Sequence, residues 1–220
     1  MKGERLVLNE THEQVARLII PKIIESIRSK KTRYIISIAG ESGSGKSVTS
    51  LAIANELEEQ GIKAIILGQD DYFVLPPKKN TDKRQEDPDW LGPHIEVRLD
   101  LLEKNLKDAI AGKDEIVKPL VDYNADTIEM QAVDLRGVKV VITEGTYTSL
   151  LKHVDTKIFI SKDWISTREW RLQRNRGNET EDPFTEHLLA TEHKIIAGHI
   201  YLADFIIDDD NRVIDVALEK

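Results

Sequence analysis

The order of apolar and polar positions predicts a chain in which buried strands alternate with amphipathic helices. Apolar residues recur at helical spacing between Val15 and Ile27, so we expect an opening helix with a kink at Pro21. Short apolar runs suited to buried strands occupy residues 34–39, 64–67, 138–142, 157–160 and 205–207. Helical patterns occupy residues 48–59, 95–110, 164–176 and 184–201. Strands separated by helices indicate an α/β fold, a doubly wound and mainly parallel sheet with helices on both faces.

Two segments interrupt this alternation. Residues 75–92 hold several prolines and many charges, so we predict a mostly irregular loop, and a loop of that length is usually functional or mobile. Apolar and polar residues alternate over 128–132, which predicts a small β insertion at about residues 120–135, paired through residues 121–123. We therefore interpret residues 1–220 as a single domain with an N-terminal helical extension over residues 1–33.

Composition and charge exclude several classes of function. The chain is 40% hydrophobic and 32% charged, which is typical of a soluble globular protein. A net charge of -8 argues against nucleic-acid or membrane-surface partners, because both are anionic. The absence of cysteine excludes disulfides and thiolate metal sites. No signal peptide or membrane span is evident, so we expect a cytoplasmic protein, and whether it forms a homo-oligomer stays open.

A glycine-rich segment predicts a nucleotide phosphate site. Residues 40–47 match G-x-x-x-x-G-K-[ST] between a predicted strand and a predicted helix. Such a loop turns backbone N–H groups and the helix N-terminus toward phosphate oxygens. Lys46 would contact the β- and γ-phosphates, and the Ser47 hydroxyl would bind Mg²⁺. The predicted ATP-binding residues here are Gly40, Glu41, Ser42, Gly43, Ser44, Gly45, Lys46, Ser47 and Val48. The alternative is a flexible glycine–serine loop that contains a lysine by chance.

Carboxylates follow two of the predicted strands. In a parallel sheet both would emerge at the carboxyl edge, where ligands bind. Glu144 is suited to hold Mg²⁺ directly or through its waters. Asp70 is suited to orient an acceptor hydroxyl and take its proton. Asp71 is the alternative base or a capping residue, while Tyr72 and Phe73 would either line the acceptor pocket or pack in the core.

An arginine-rich helix is the third candidate element. Arg168, Arg171 and Arg174 are spaced three apart, and Arg176 follows. We expect the first three to bind ATP phosphates, Arg171 to stabilise the transferring phosphoryl group, and Arg176 to reach the acceptor. The polar stretch behind them would let residues 164–182 close as a lid. The alternative is a solvated or salt-bridged basic helix.

The ordered set of these motifs resembles the uridine kinase/phosphoribulokinase family of P-loop kinases over roughly residues 34–211. The resemblance rests on the phosphate loop, residues 66–70, Asp87-Pro88-Asp89, Pro119 with Asp122-Tyr123, Glu144-Gly145, residues 157–160 and Thr167-Arg168. It implies a P-loop core that transfers the γ-phosphate of Mg²⁺–ATP to an alcohol. It also implies a catalytic role for Asp70, a Mg²⁺-associated role for Glu144, acceptor contacts by Asp122 and Tyr123, and adenine contacts by residues 208–211.

The chain departs from uridine kinases on the acceptor side. Residues 84–89 read Arg-Gln-Glu-Asp-Pro-Asp where uridine kinases usually carry Asn-Phe-Asp-His-Pro-Asp, so the sugar-binding aspartate becomes Glu86. A histidine expected near the base falls at Asp126. The resemblance therefore implies a small-molecule kinase whose acceptor is a nucleoside, sugar, sugar phosphate or pantothenate-like alcohol. The alternatives are a P-loop ATPase or nucleotide-dependent switch acting on a protein partner, or a member that binds nucleotide without turnover.

Overall fold

A six-stranded sheet forms the centre of the molecule. The computed structural model describes residues 6–168, 171 and 183–217. The strands of the central sheet are β1 (Tyr34–Gly40), β2 (Ala64–Gly68), β5 (Val140–Glu144), β6 (Thr156–Ile160), β7 (Phe205–Ile207) and β8 (Val213–Asp215). Their order is β2-β5-β1-β6-β7-β8, and every neighbouring pair is parallel except β7 and β8. The strands β3 (Glu115–Asp122) and β4 (Thr127–Asp134) form a separate antiparallel pair. The antiparallel β8 is an element that the sequence did not predict.

Helices cover both faces of the sheet, as predicted. They are α1 (Glu10–Ser29), α2 (Lys46–Glu59), α3 (Pro77–Glu86), α4 (Leu99–Ile110) and α5 (Pro183–Ile196). Short 3₁₀ turns occupy Gln69–Tyr72, Pro88–Trp90, Thr148–Leu150 and Ala197–Leu202. Among the described residues, no helix combines the length and apolar character needed to cross a bilayer.

Strand β1 is buried along its whole length and separates two apolar clusters. Because successive side chains of a strand point to opposite faces, Ile36 and Ile38 pack with α1 and α2. Ile35 packs on the other face with α4. Helix α1 runs through Pro21 without interruption and contributes its own apolar stripe to the first cluster. The predicted N-terminal extension thus forms part of the core beneath α2.

The prediction of a mostly irregular segment over residues 75–92 was wrong, because that segment contains α3. Pro76 and Pro77 begin the helix, where the missing proline N–H costs no hydrogen bond. Pro88 favours an extended conformation at the residue before it, and Asp87, with φ of -139°, ends the helix. The prolines therefore mark the two ends of a helix, whereas their number in the sequence had suggested a loop.

The predicted β insertion is confirmed as the β3–β4 hairpin, which begins earlier than expected. A buried ion pair attaches it to the segment after β2: Lys118 Nζ lies 2.5 Å from Asp71 Oδ2. The Val121 amide donates to Asp71 Oδ1 at 3.0 Å. At the other end of the hairpin, the Lys78 amide of α3 donates to Asp126 Oδ1 at 2.8 Å. The hairpin is thus held against the turn after β2 and against α3.

Candidate active site

The segment between β1 and α2 has the backbone geometry of a phosphate loop. Gly43 and Gly45 have φ of 79° and 97°, in the left-handed region that favours glycine. A Cβ atom added at Gly43 would lie 2.6 Å from Arg171 Cγ, and one added at Gly40 would lie 2.7 Å from the Ile160 carbonyl oxygen. The glycines are therefore required both by backbone conformation and by close packing.

The polar groups of this loop suit an anion. Helix α2 begins at Lys46 with no side-chain cap from Gly45, so a ligand can satisfy its first amides. Lys46 Nζ donates to the Glu41 carbonyl oxygen at 2.8 Å and stays folded over the loop. The buried Ser44 hydroxyl has no hydrogen-bond partner within the described part of the chain. This set of donors fits a phosphate chain.

Glu144 lies between the phosphate loop and the segment that carries Asp70. Strand β5 runs between β2 and β1, and Glu144 pairs in register with Gly68 on one side and Ile38 on the other. Its Oε1 atom is 3.0 Å from the position of a Cβ on Gly68. Asp70 is half-buried in the turn directly after β2. The sheet therefore brings the predicted base, carboxylate and phosphate loop to one edge.

The two residues after Asp70 are buried. Tyr72 was predicted to line the acceptor pocket or to pack in the core, and it is fully buried. Its hydroxyl donates to Asn105 Oδ1 at 2.9 Å, and burial raises its pKa. Asp71, the alternative base, is occupied by Lys118 and by the Val121 amide. The acceptor-binding role of Tyr72 is corrected accordingly, because its ring fills the apolar layer beside α4.

A polar network that the sequence did not indicate lies beside Phe73. Glu96 is completely buried and accepts from Arg84 Nε at 2.7 Å and from Arg84 Nη2 at 2.6 Å. Asn80 Nδ2 donates to the same Glu96 oxygen at 3.1 Å. The Arg84 guanidinium lies 5.6 Å from the Phe73 ring centroid. The i,i+4 spacing of Asn80 and Arg84 between two prolines was the signal that could have revealed this helix face.

The acceptor residues implied by the resemblance lie at the end of α3 and at the turn of the β3–β4 hairpin. Glu86 is exposed at the last residue of α3, and its contact with the acceptor stays a prediction. Asp122 Oδ1 accepts from the amides of Asn124 and Ala125 at 3.1 and 3.0 Å and so stabilises the hairpin turn. Tyr123 is half-buried beside it. Substrate contact by Asp122 and Tyr123 stays a prediction.

The base of the predicted lid is attached to the phosphate loop. Thr167 Oγ1 donates to the Ser42 carbonyl oxygen at 3.0 Å. Arg171 is buried against Gly43, and its Nη1 donates to the Trp164 carbonyl oxygen and, at 2.9 Å, to Thr167 Oγ1. Arg168 is exposed, 3.9 Å from Glu186 of α5. Arg174 and Arg176 lie outside the described residues, as does most of the 164–182 segment.

Three further titratable groups border the site without having been predicted. His12 Nε2 of α1 lies 3.0 Å from the Cβ position of Gly45, and burial together with nearby Lys162 lowers its pKa. Lys162 Nζ in turn donates to Asn211 Oδ1 at 2.6 Å. Glu192 of α5 has its pKa raised by burial, against the opposing charges of Lys46 and Arg84. No motif marks these residues, because each reaches the site through tertiary packing.

Comparison with known proteins identifies the family of this chain. A model of the Phosphoribulokinase / Uridine kinase family matches residues 35–207. The chain belongs to this family. Membership confirms the predicted resemblance and agrees with the α/β fold. The matched region begins after α1, so α1 and His12 lie outside it.

Proteins similar to this chain have different acceptors in their names. A uridine kinase of Staphylococcus aureus (strain JH9) is 32% identical over 165 residues, covering 72% of this chain and 77% of that protein. The bifunctional alpha-galactosidase/sucrose kinase AgaSK of Mediterraneibacter gnavus is 28% identical over 194 residues. That match covers 83% of this chain, which spans only 21% of the relative. The structure of D-glycerate 3-kinase from Cryptococcus neoformans shares the fold with a TM-score of 0.65 at 17% identity, covering 94% of this chain and 98% of that one.

Proposed function

We propose that the chain is a phosphotransferase that moves the γ-phosphate of Mg²⁺–ATP to a hydroxyl group of a small molecule, such as a nucleoside or a sugar. One observation carries the proposal: Glu144 lies between the phosphate loop and the Asp70 segment at a single sheet edge. Kinase relatives with uridine, sucrose and glycerate in their names support a hydroxyl acceptor. They do not favour the alternative of an ATPase or switch that acts on a protein partner.

The residues at this edge of the sheet supply the chemical groups that such a reaction needs. Backbone amides of residues 40–47 and Lys46 would hold the β- and γ-phosphates. Ser47 and Glu144 offer the oxygen ligands that Mg²⁺ prefers, and the bound ion would neutralise developing charge on the phosphates. Asp70 orients the acceptor hydroxyl and takes its proton while the oxygen bonds to the γ-phosphorus and ADP leaves.

The arginines after β6 would complete the site. Arg171 already lies against Gly43, and we propose that residues 164–182 act as a lid which adds Arg168, Arg171 and Arg174 to the phosphates and excludes water. Exclusion of water matters because a kinase must deliver the phosphoryl group to the acceptor and not to solvent.

A coupled ADP-release assay tests the proposal. The purified chain is incubated with Mg²⁺–ATP and a panel of nucleosides, sugars, sugar phosphates and vitamin-like alcohols. We expect ADP release to require both Mg²⁺ and one class of alcohol, and Lys46→Ala to abolish it. Steady hydrolysis without any alcohol, stimulated by a protein partner, would contradict the proposal and support a switch.

A further inference from the structure

The first turn of α1 places a histidine ring beside the phosphate loop. His12 Nε2 lies 3.0 Å from the position of a Cβ on Gly45, the residue that immediately precedes α2. The ring is half-buried, so part of it remains accessible to a bound molecule. The family model begins at residue 35 and does not include this histidine. The contact is therefore a feature of this chain that the shared region does not explain.

The hydrogen bonds of His12 determine which of its ring nitrogens carries the proton. The backbone amide of His12 donates to Asn9 Oδ1 at 3.1 Å, which identifies that atom as the carbonyl oxygen of the side chain. His12 Nδ1 lies 2.5 Å from the same oxygen. Because an amide oxygen only accepts, Nδ1 must be the donor, and in the neutral ring Nε2 then has a free lone pair. Asn9 thus presents Nε2 to the phosphate loop as a hydrogen-bond acceptor.

The surroundings of His12 favour its neutral form. Burial lowers its pKa, and the positive charge of Lys162 acts in the same direction. Among the hydrogen bonds of the described residues, none has His12 Nε2 as its acceptor. Its lone pair is thus available to a bound molecule that offers an O–H or N–H group. The ionised phosphates of ATP offer acceptor oxygens, so they are not that partner.

The nucleoside of a bound ATP would lie on the same side of the loop as His12. The sheet order places the loop after β1 between β2, which precedes Asp70, and the strands β6, β7 and β8. A γ-phosphate that faces Asp70 therefore directs the nucleoside toward β6–β8. Lys162 directly follows β6 by two residues, and its Nζ donates at 2.6 Å to Asn211 Oδ1 in the turn between β7 and β8.

The packing of α1 along β8 brings His12 to this turn. Lys22 Nζ of α1 lies 3.0 Å from Asp215 Oδ2 at the end of β8. His12 precedes Lys22 by about 15 Å along the helix axis. Asn211 precedes Asp215 by about 13 Å of extended chain. Since β8 is antiparallel to β7, Asn211 lies at the edge of the sheet that holds the phosphate loop, as His12 does.

We propose that His12 is a nucleotide-binding residue, whose Nε2 accepts a hydrogen bond from the nucleoside part of ATP. The donor is an O–H of the ribose or the amino N–H of adenine, which share the chemistry that a neutral imidazole recognises. Helix α1 is then part of the donor site as well as of the core. The inference rests on the proposed function, because it takes ATP as the phosphate donor.

Calorimetric titration of the full chain with Mg²⁺–ATP and with inorganic tripolyphosphate tests the contact. His12→Ala should weaken ATP binding by roughly 3- to 10-fold, as expected for one lost neutral hydrogen bond. It should leave tripolyphosphate binding unchanged, whereas a general disturbance of the loop would weaken both. His12→Gln retains an acceptor and should lose less than His12→Ala. Gln14→Ala changes an exposed residue of the same helix and should alter neither affinity. Unchanged ATP affinity in His12→Ala, or an equal loss for tripolyphosphate, would overturn the inference.

ATP analogues identify the donating group. Two analogues each lack one ribose hydroxyl, the 2′ or the 3′, and inosine triphosphate has an oxygen in place of the adenine amino group. In the unchanged protein, the analogue without the donating group should bind roughly 3- to 10-fold more weakly than ATP, and in His12→Ala it should bind as ATP does. If every analogue differs from ATP by the same factor in both proteins, the inference is wrong. That result leaves the kinase function intact, whereas failure of the unchanged chain to bind any nucleoside triphosphate would remove both.

Discussion

The backbone amide of Trp164 donates a hydrogen bond to Glu41 Oε2 at 2.6 Å. The other oxygen of the same carboxylate lies 2.5 Å from His193 Nδ1 on α5. One side chain of the phosphate loop therefore joins the first residues of the predicted lid to the helix that carries Glu192. Movement of any one of these elements changes the environment of the other two.

Removal of the Glu41 carboxylate should destabilise the protein. Glu41→Ala leaves the Trp164 amide and the His193 ring without their partner, and we expect the free energy of unfolding to fall by about 1–3 kcal/mol. Urea denaturation measures the loss. Glu41→Gln keeps an oxygen for the Trp164 amide and should lose less, so equal losses in the two variants would contradict this account.

Asp70→Asn should remove proton transfer and spare nucleotide binding. The amide keeps the size of the side chain but cannot accept the hydroxyl proton, so we expect kcat to fall by roughly 10²–10⁴-fold. ATP affinity, measured by calorimetry, should stay within about twofold of the unchanged protein, since Asp70 would not touch the phosphates. Near-normal turnover would remove Asp70 from the mechanism.

Lys118→Met should cause a large loss of stability through Asp71. The two side chains are 6% and 5% exposed, so the variant leaves a buried carboxylate without its cation. We expect the free energy of unfolding to fall by about 3–5 kcal/mol. The double variant with Asp71→Leu removes that charge and should recover part of the loss. A double variant as unstable as Lys118→Met would show that the uncompensated charge is not the cause.

Gly43→Ala should disrupt the phosphate loop through two effects. A left-handed conformation costs a non-glycine residue about 1–2 kcal/mol. The new methyl group would also lie 2.6 Å from Arg171 Cγ and displace the base of the lid. We expect weaker ATP binding by calorimetry. Gly198→Ala is the matched control, because nothing lies within 4 Å of its Cβ position, and it should bind ATP normally.

Stability should fall on mild acidification because of two half-buried histidines. Burial lowers the pKa of His12 and of His199, with Lys162 and Lys157 acting in the same direction. Each ring is more readily protonated when unfolded, so the unfolded state binds more protons as pH falls below about 6.5. The double variant His12→Gln, His199→Gln should lose part of this dependence in denaturation curves between pH 7 and 5. If stability depended on pH equally in the double variant and in the unchanged protein, this role of the two histidines would be contradicted.

The features that could be predicted from the sequence are those formed by residues that are neighbours along the chain. The phosphate loop is a contiguous glycine pattern. Asp70 lies just after β2 and Glu144 ends β5, so the pairing of these two strands places both residues at one sheet edge. The partners Arg84 and Glu96 are separated by a turn, and the prolines around them favoured a loop. His12 and Glu192 reach the site through the packing of α1 and α5, and no local sequence pattern predicts that packing.

The position of α1 has a practical consequence for work on isolated fragments. This helix precedes the region that the family shares, yet it buries Ile19, Ile20 and Ile27 under α2 and rests His12 against Gly45. A fragment trimmed to begin at Tyr34 would present that bare isoleucine-lined surface to water and would aggregate readily. Expression and crystallisation trials should therefore retain the first 33 residues, even when only the shared catalytic region is of interest.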